Sequence, residues 1–286
     1  MPKVGLSIPW LLSAPAVFVL LLVFVISVVL TFGLSFYSFS FHGGLQGGAG
    51  FDHYVEVLSD SYFYELFGKT FALATVVSLL TLVLGTLEAY VLYRMSSQWR
   101  SMFLLLVLGP LLISVVVRTL GWTILLGREG LLNKLLVGIG LIERPLSILY
   151  TNTAVVIGLT HIFVPFVVLS VWACLQKCDP AVERAAVALG ASQFSLFFRI
   201  VFPQVVPGML SGGLVVFALA ASAFATPALL GGRKVKVVSI AIYDQFLGTL
   251  NWPVGAVLAT LMLILVSAIV LFYNYLVERR YKEVFQ

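Results

Sequence analysis

Long apolar stretches alternate with short polar ones along the whole chain. Six of them, at residues 10–34, 70–93, 102–126, 152–175, 210–230 and 254–277, reach the roughly 20 apolar residues that one helix needs to cross a bilayer core. The polar segments between them are too short to fold as a soluble domain. The pattern therefore predicts an all-α membrane protein: one transmembrane domain over residues 1–286, with six transmembrane helices. The first stretch is too long and uniform for the core of a cleavable signal, and no small-residue cleavage site follows it before Thr31. It is expected to stay as the first helix.

Composition agrees with the pattern. The 286 residues are 61% hydrophobic and 10% charged, with a mean hydropathy of +1.09, which leaves too little polar surface for a soluble protein. If the N-terminus is cytoplasmic, nine basic residues fall on the inside (Lys3, Arg94, Arg100, Lys177, Arg184, Arg199, Arg279, Arg280, Lys282) and seven outside. That majority is small, but the short loop from Arg94 to Arg100 and both chain ends agree with it. Nothing in the charge distribution suggests a nucleic acid as partner.

Between the apolar stretches, HGGLQGGAG (42–50) followed by Asp52, Glu56, Asp60 and Glu65 reads as a flexible turn and a short amphipathic element on the outer surface. Residues 127–145 repeat Leu and Ile at helical spacing but are too short and charged to span, which predicts a helix lying flat at the outer interface. The two cysteines, Cys174 and Cys178, have no further Cys or His nearby and are expected as packed thiols, not metal ligands. No internal repeat occurs, and the two halves carry no paired broken helices of the kind found in inverted-repeat transporters.

One stretch fits neither span nor simple loop: AVERAAVALGASQFSLFFRIVFP, residues 181–203. Asp179 is placed to cap a helix that begins at Pro180, and Gly190 to end it in the left-handed conformation. Ser192 can cap a second helix running to Pro203. The first carries small residues, Ala181, Ala185, Ala186 and Ala188, around the charged pair Glu183 and Arg184. Such a surface suits close docking by another protein, with charges fixing the register.

This stretch resembles the motif shared by the membrane subunits of binding-protein-dependent ATP-binding-cassette (ABC) importers: Glu-Ala-Ala, three residues, Gly, nine residues, Ile-x-Leu-Pro. Gly190, Ile200 and Pro203 fall at the matching positions, and Ala185 and Ala186 on the two alanines. Phe202 replaces the usual Leu, and Arg184 stands in the usual Glu position with Glu183 one residue earlier. RTLGWTILLGREGLLN from Arg118, LYTNTAVVIGLTHIFVPF from Leu149, TPALLGG from Thr226 and NWPVGA from Asn251 look like permeases of the spermidine/putrescine group, most like the first of its two permeases.

The resemblance implies that residues 177–207 form a cytoplasmic coupling helix and its flanks between helices 4 and 5, with Glu183, Arg184, Ala185, Ala186, Gly190, Ile200 and Pro203 facing the ATPase. It implies four kinds of partner: a second homologous permease, two copies of a cytoplasmic ATPase subunit, a periplasmic solute-binding protein, and the lipid of a bacterial inner membrane. ATP and Mg would act on the ATPase, with no cofactor in this chain and no catalytic residue. In agreement, the chain has no phosphate-binding G-x-x-x-x-G-K-[ST] loop. A stand-alone secondary transporter is the alternative from another class, and a membrane-embedded enzyme a third. Glu88 and His161 do not make the paired carboxylates or His cluster an enzyme would need.

Ionisable residues inside spans are costly and call for a role or a partner. Glu88 lies about 9 Å along the helix from Arg94, too far to pair with it, and is expected to face a wet cavity or a partner on another helix. Arg118, about 27 Å from Arg100 along a straight helix, is expected near the outer surface. His161, four residues before Pro165, reads as a satisfied core histidine. In the resembling family the fifth helix lines the route, which nominates Phe224 and Thr226. Trp122 and Tyr243 add aromatic faces, and Asp244 a carboxylate, for a solute that the resemblance predicts to be a polyamine. Arg118 pulls the other way, toward an opine, amino-acid-like or phosphonate solute.

Overall fold

In the computed structural model, residues 7–40, 44–46 and 50–281 are described. Lys3, Lys282 and positions 41–43 and 47–49 of the glycine-rich turn lie outside them. The chain divides into two compact units, Met1–Tyr64 with Ala241–Ile264 and Glu65–Ile240 with Leu265–Gln286. Among the described residues, five helices are long and apolar enough to cross a membrane: Ser13–Leu34, Ser61–Arg94, Asn152–Leu175, Gln193–Ala221 and Trp252–Val277. A sixth crossing exists where Ser97–Leu112 and Val115–Gly138 are taken together as one bent span.

In the first unit, α1 (Ser7–Leu34) precedes a small hairpin of β1 (Ser38–Ser40) and β2 (Gly44–Gln46), paired antiparallel with Phe39 opposite Leu45. α2 (Asp52–Ser59) follows. Phe36 anchors the unit, with its ring 5.0 to 5.4 Å from those of Phe32, Phe51 and Tyr54. Beside it, buried Ser35 donates to the Phe32 carbonyl and shares a 2.7 Å hydrogen bond with the Tyr54 hydroxyl. The side chains of α1 from Val17 to Ile26 are exposed; an apolar helix with no buried face is built to meet lipid or another subunit.

The second unit is organised around α7 (Asn152–Leu175), which is apolar on all sides and the most buried of the spans. It packs against α3 (Ser61–Arg94) and α10 (Phe202–Ala221). Two glycines permit the close approach. A Cβ on Gly208 would lie 2.6 Å from the Ser170 carbonyl oxygen, and one on Gly85 would lie 2.8 Å from Val167 Cβ. Helices in lipid associate through such packing because the surrounding tails offer no hydrophobic drive.

The third apolar stretch, 102–126, is not the single helix expected. α4 (Ser97–Leu108) tightens into a 3-10 turn at Gly109–Leu112; Ile113 and Ser114 are extended, and α5 (Val115–Leu126) leaves at 100°. Pro110 has no N–H to donate and its ring crowds the preceding turn, so the helix breaks there. A straight rise from Arg100 therefore cannot place Arg118 at the outer surface. Arg118 instead sits one turn before Trp122, which meets His161 near the middle of α7.

The fifth stretch also departs from 210–230. α10 stops at Ala221, and Pro227–Gly231 form a separate wide turn. Ser222 bonds back to the Ala218 carbonyl, and the freed Ala223 carbonyl is taken by the Ser239 hydroxyl at 2.6 Å. Conversely, the helix expected to end at Pro203 continues to Ala221. A wide turn at Phe197–Val201, in which the Phe202 N–H reaches back to the Phe197 carbonyl, accommodates the proline without a break. Residues 127–145 contain the short helix expected, α6 (Leu131–Gly138). α11 (Val238–Tyr243), a wide turn at Asp244–Gly248 and α12 (Trp252–Tyr281) complete the described residues.

Candidate coupling hairpin and membrane cavity

Residues 179–196 fold as the local signals dictate. The Asp179 carboxylate accepts from the Ala181 N–H at 2.8 Å, Pro180 opens α8 (Pro180–Ala188), and Gly190 closes it at φ +83°. The Ala191 N–H reaches the Ala186 carbonyl at 3.0 Å, which satisfies an otherwise orphaned acceptor. Ser192 then caps α9 (Gln193–Leu196) by accepting from the Ser195 N–H.

The hairpin turns two kinds of side chain outward. Arg184 and Ala185 are exposed, Ala186 is half-buried, and Leu189 and Phe194 are 88% and 73% exposed. Pro203 is exposed and Ile200 half-buried. Glu183 does not belong to this outer face. It is 8% exposed and points inward, where the Arg94 Nη1 donates to its Oε2 at 3.0 Å. The outward charge of the hairpin is thus Arg184, because a helix turns 100° per residue and presents adjacent positions to different sides. At the foot of α7, Cys174 and Cys178 are free thiols. Burial, with the Glu183 carboxylate and Cys174 adding to it, pushes the Cys178 thiol up, so it stays protonated and unreactive.

Within the second unit a cavity of about 670 Å³ opens between α3, α4, α5 and α7. Its wall is apolar except for Glu88, Trp122, Thr160 and His161. Glu88 is half-buried and has no ion-pair partner among the described residues, in line with its expected cavity-facing position. His161 is partnered but is not a core residue: it is exposed to the cavity, and the Trp122 indole N–H donates to its Nδ1 at 3.2 Å. In the neutral ring that bond leaves the proton on Nε2. The Thr160 hydroxyl is buried with no partner among the described residues; so, away from the cavity wall, are Nε and Nη1 of Arg118.

The remaining candidates separate. Thr226 is 1% exposed and shares a 3.1 Å hydrogen bond with Thr119, so it is packed inside the protein and does not line an open route. Phe224 is 39% exposed. Tyr243 and Asp244 are exposed and belong to the first unit. Sequence reasoning missed the pairing of Trp122 with His161 and the contacts of Arg94 with Glu183 and Gln193. These join residues 39, 89 and 99 positions apart, and no local spacing announces them.

No protein-family model matches the chain. Similar curated proteins do exist. The spermidine/putrescine transport system permease protein PotB of Escherichia coli K12 is 33% identical over 222 residues, covering 78% of this chain and 80% of that one. Its counterpart in Haemophilus influenzae is 29% identical over 263 residues, covering 91% and 89%. Among solved structures, a bacterial alginate ABC transporter in complex with an alginate pentasaccharide-bound periplasmic protein contains a chain with a TM-score of 0.79 at 21% identity, covering 95% of this chain and 94% of that one. That likeness shows the fold.

Proposed function

The chain belongs to the family of PotB permeases, the membrane subunits of ABC importers, and on that premise we propose that it carries polyamines such as spermidine and putrescine across the inner membrane. It works with a second permease, two copies of an ATPase subunit and a periplasmic binding protein. The relatives are named for spermidine/putrescine transport, and a chain of the same fold occurs in a transporter bound to a periplasmic protein. Covalent chemistry has no place in the role. ATP and Mg act on the partner ATPase, and this chain converts their cycle into movement of its helices.

In this reading both termini and residues 177–207 are cytoplasmic, and α8 is the coupling helix. Arg184, Ala185 and Ala186 of the motif dock on the ATPase together with the apolar Leu189 and Phe194. The observation that carries the reading is the outward face of a capped α8, which keeps Gly190 and the two alanines of the motif while Glu183 turns away. The cavity supplies the membrane part of the route. A carboxylate left unpaired in an apolar wall is costly unless a cation visits it, so Glu88 receives an ammonium group while the Trp122 ring offers a cation–π face.

A second reading rests on one observation. Two nitrogens of Arg118 are buried without partners among the described residues, and such a guanidinium favours a solute bearing a carboxylate or phosphonate, such as an opine. Uptake by the complete importer in proteoliposomes separates the two. ATP-dependent accumulation of labelled putrescine or spermidine at micromolar concentration is expected. Uptake of an opine or phosphonate with neither amine bound by the periplasmic protein would leave the importer standing and remove the polyamine.

A further inference from the structure

α8 is almost detached from its own chain: Glu183 is its one buried residue, and Ala181, Ala185 and Ala188 are all exposed. Apolar packing therefore does not fix the angle of α8, whereas α9 is anchored by Leu196, which is 1% exposed. A single guanidinium touches α3, α8 and α9. Arg94 is the last residue of α3. Its Nη1 donates to Glu183 of α8 at 3.0 Å, its Nη2 to the Gln193 side-chain carbonyl of α9 at 2.8 Å, and its Nε to the Tyr90 hydroxyl on α3 at 3.1 Å.

The same place is held from two other sides. The Tyr90 ring lies edge-on to Phe197, 4.7 Å away, in the wide turn that follows α9. Arg100 Nη2 donates to the Tyr93 and Met95 carbonyls, which fixes the backbone where α3 ends. A planar fork with all three of its nitrogens engaged sets direction as well as distance, and a lysine cannot replace it. Its contribution to stability is small, because the Arg94 side chain is 38% exposed and water screens the pair. Its effect is mechanical.

Two paths lead from the hairpin into the membrane. One is covalent, through α9 and the wide turn into α10. The other runs through Arg94 into α3. We infer that Arg94 is a positioning residue that locks α8 and α9 to the second span, so that a displacement of the hairpin moves α3 and α10 together. The inference rests on the reading of α8 as the coupling helix.

The test is the number of solute molecules moved per ATP hydrolysed by the complete importer in proteoliposomes. A residue that only supports folding lowers transport and hydrolysis together and leaves this ratio unchanged. Arg94→Ala should lower the ratio about tenfold, within the range of ordinary coupling energies. Arg94→Lys should recover part of it through the ion pair alone, and Gln193→Ala, at an exposed position, should lower it less. Arg94→Ala combined with Glu183→Ala should be no worse than Arg94→Ala, because both remove one interaction. An unchanged ratio in Arg94→Ala, or independent losses that multiply in the double variant, overturns the inference. If Arg94→Ala does not assemble, an unchanged ratio in both Arg94→Lys and Gln193→Ala overturns it. In Arg94→Ala, a cysteine at position 189 that still crosslinks to the ATPase while the ratio stays normal removes only the Arg94 path. Absence of that crosslink in the otherwise unaltered protein removes the coupling reading itself.

Discussion

In the α8–α9 hairpin, the charge that turns inward meets a partner: Glu183 faces Arg94, which also holds Gln193 and Tyr90. In the cavity between α3, α4, α5 and α7, Glu88 has no ion-pair partner among the described residues, and the Trp122 indole N–H donates to His161 beside it. The hairpin turns its inward carboxylate toward Arg94, with the second oxygen of Glu183 buried and without a hydrogen bond among the described residues, and presents small and apolar side chains with Arg184 to the outside. The cavity holds one carboxylate, that of Glu88, against a mostly apolar wall, where an unmatched charge is costly. A surface that transmits motion needs a defined geometry before its partner arrives. A site that passes a solute needs groups whose partner comes and goes.

Breaking the hairpin should have the largest effect. At Gly190 a side chain would find open space, but the φ of +83° is one that L-residues rarely adopt; Gly190→Leu strains the turn by about 1–2 kcal/mol and adds a branched group to the docking face. The chain should still insert, while transport falls by about tenfold or more, since about 1.4 kcal/mol corresponds to a factor of ten. Normal uptake with normal co-purification of the ATPase would mean that this turn does not couple.

In the cavity, Glu88→Gln keeps the shape and removes the charge. Uptake of a polyamine should fall several-fold, and the fall should be steeper for a more highly charged amine. Equal uptake of putrescine and spermidine by the variant and the parent would take Glu88 off the route. The smallest effect is expected where the two regions do not reach. Thr119→Val removes the buried hydrogen bond with Thr226 and should cost about 1 kcal/mol of stability, seen as a lower midpoint of thermal unfolding in detergent, with the specificity of transport unchanged.

The contrast also separates what sequence could carry from what it could not. The hairpin was legible because its signals are local: Asp179 before Pro180, Gly190 where the chain must turn left, Ser192 at the next cap. Four of the spans followed from run length alone, while the fifth began earlier and stopped at Ala221. The break in the third span did have a signal, the Gly109-Pro110 pair, but an apolar run of sufficient length reads the same whether straight or bent, and with it went the depth of Arg118. Thr226 looked available beside Pro227, yet its partner Thr119 lies 107 residues away. Glu183 and Arg184 are adjacent in sequence and differ in fate because only the folded chain brings Arg94 to one of them.

The central claim is that α8 meets the ATPase with the face carrying Leu189. It is tested most directly by a single cysteine at position 189 in a chain whose Cys174 and Cys178 have been replaced. The account predicts a crosslink between this cysteine and the ATPase subunit in the assembled importer, and no labelling by an impermeant thiol reagent added outside intact cells. Labelling from outside, with no crosslink to the ATPase, would contradict it.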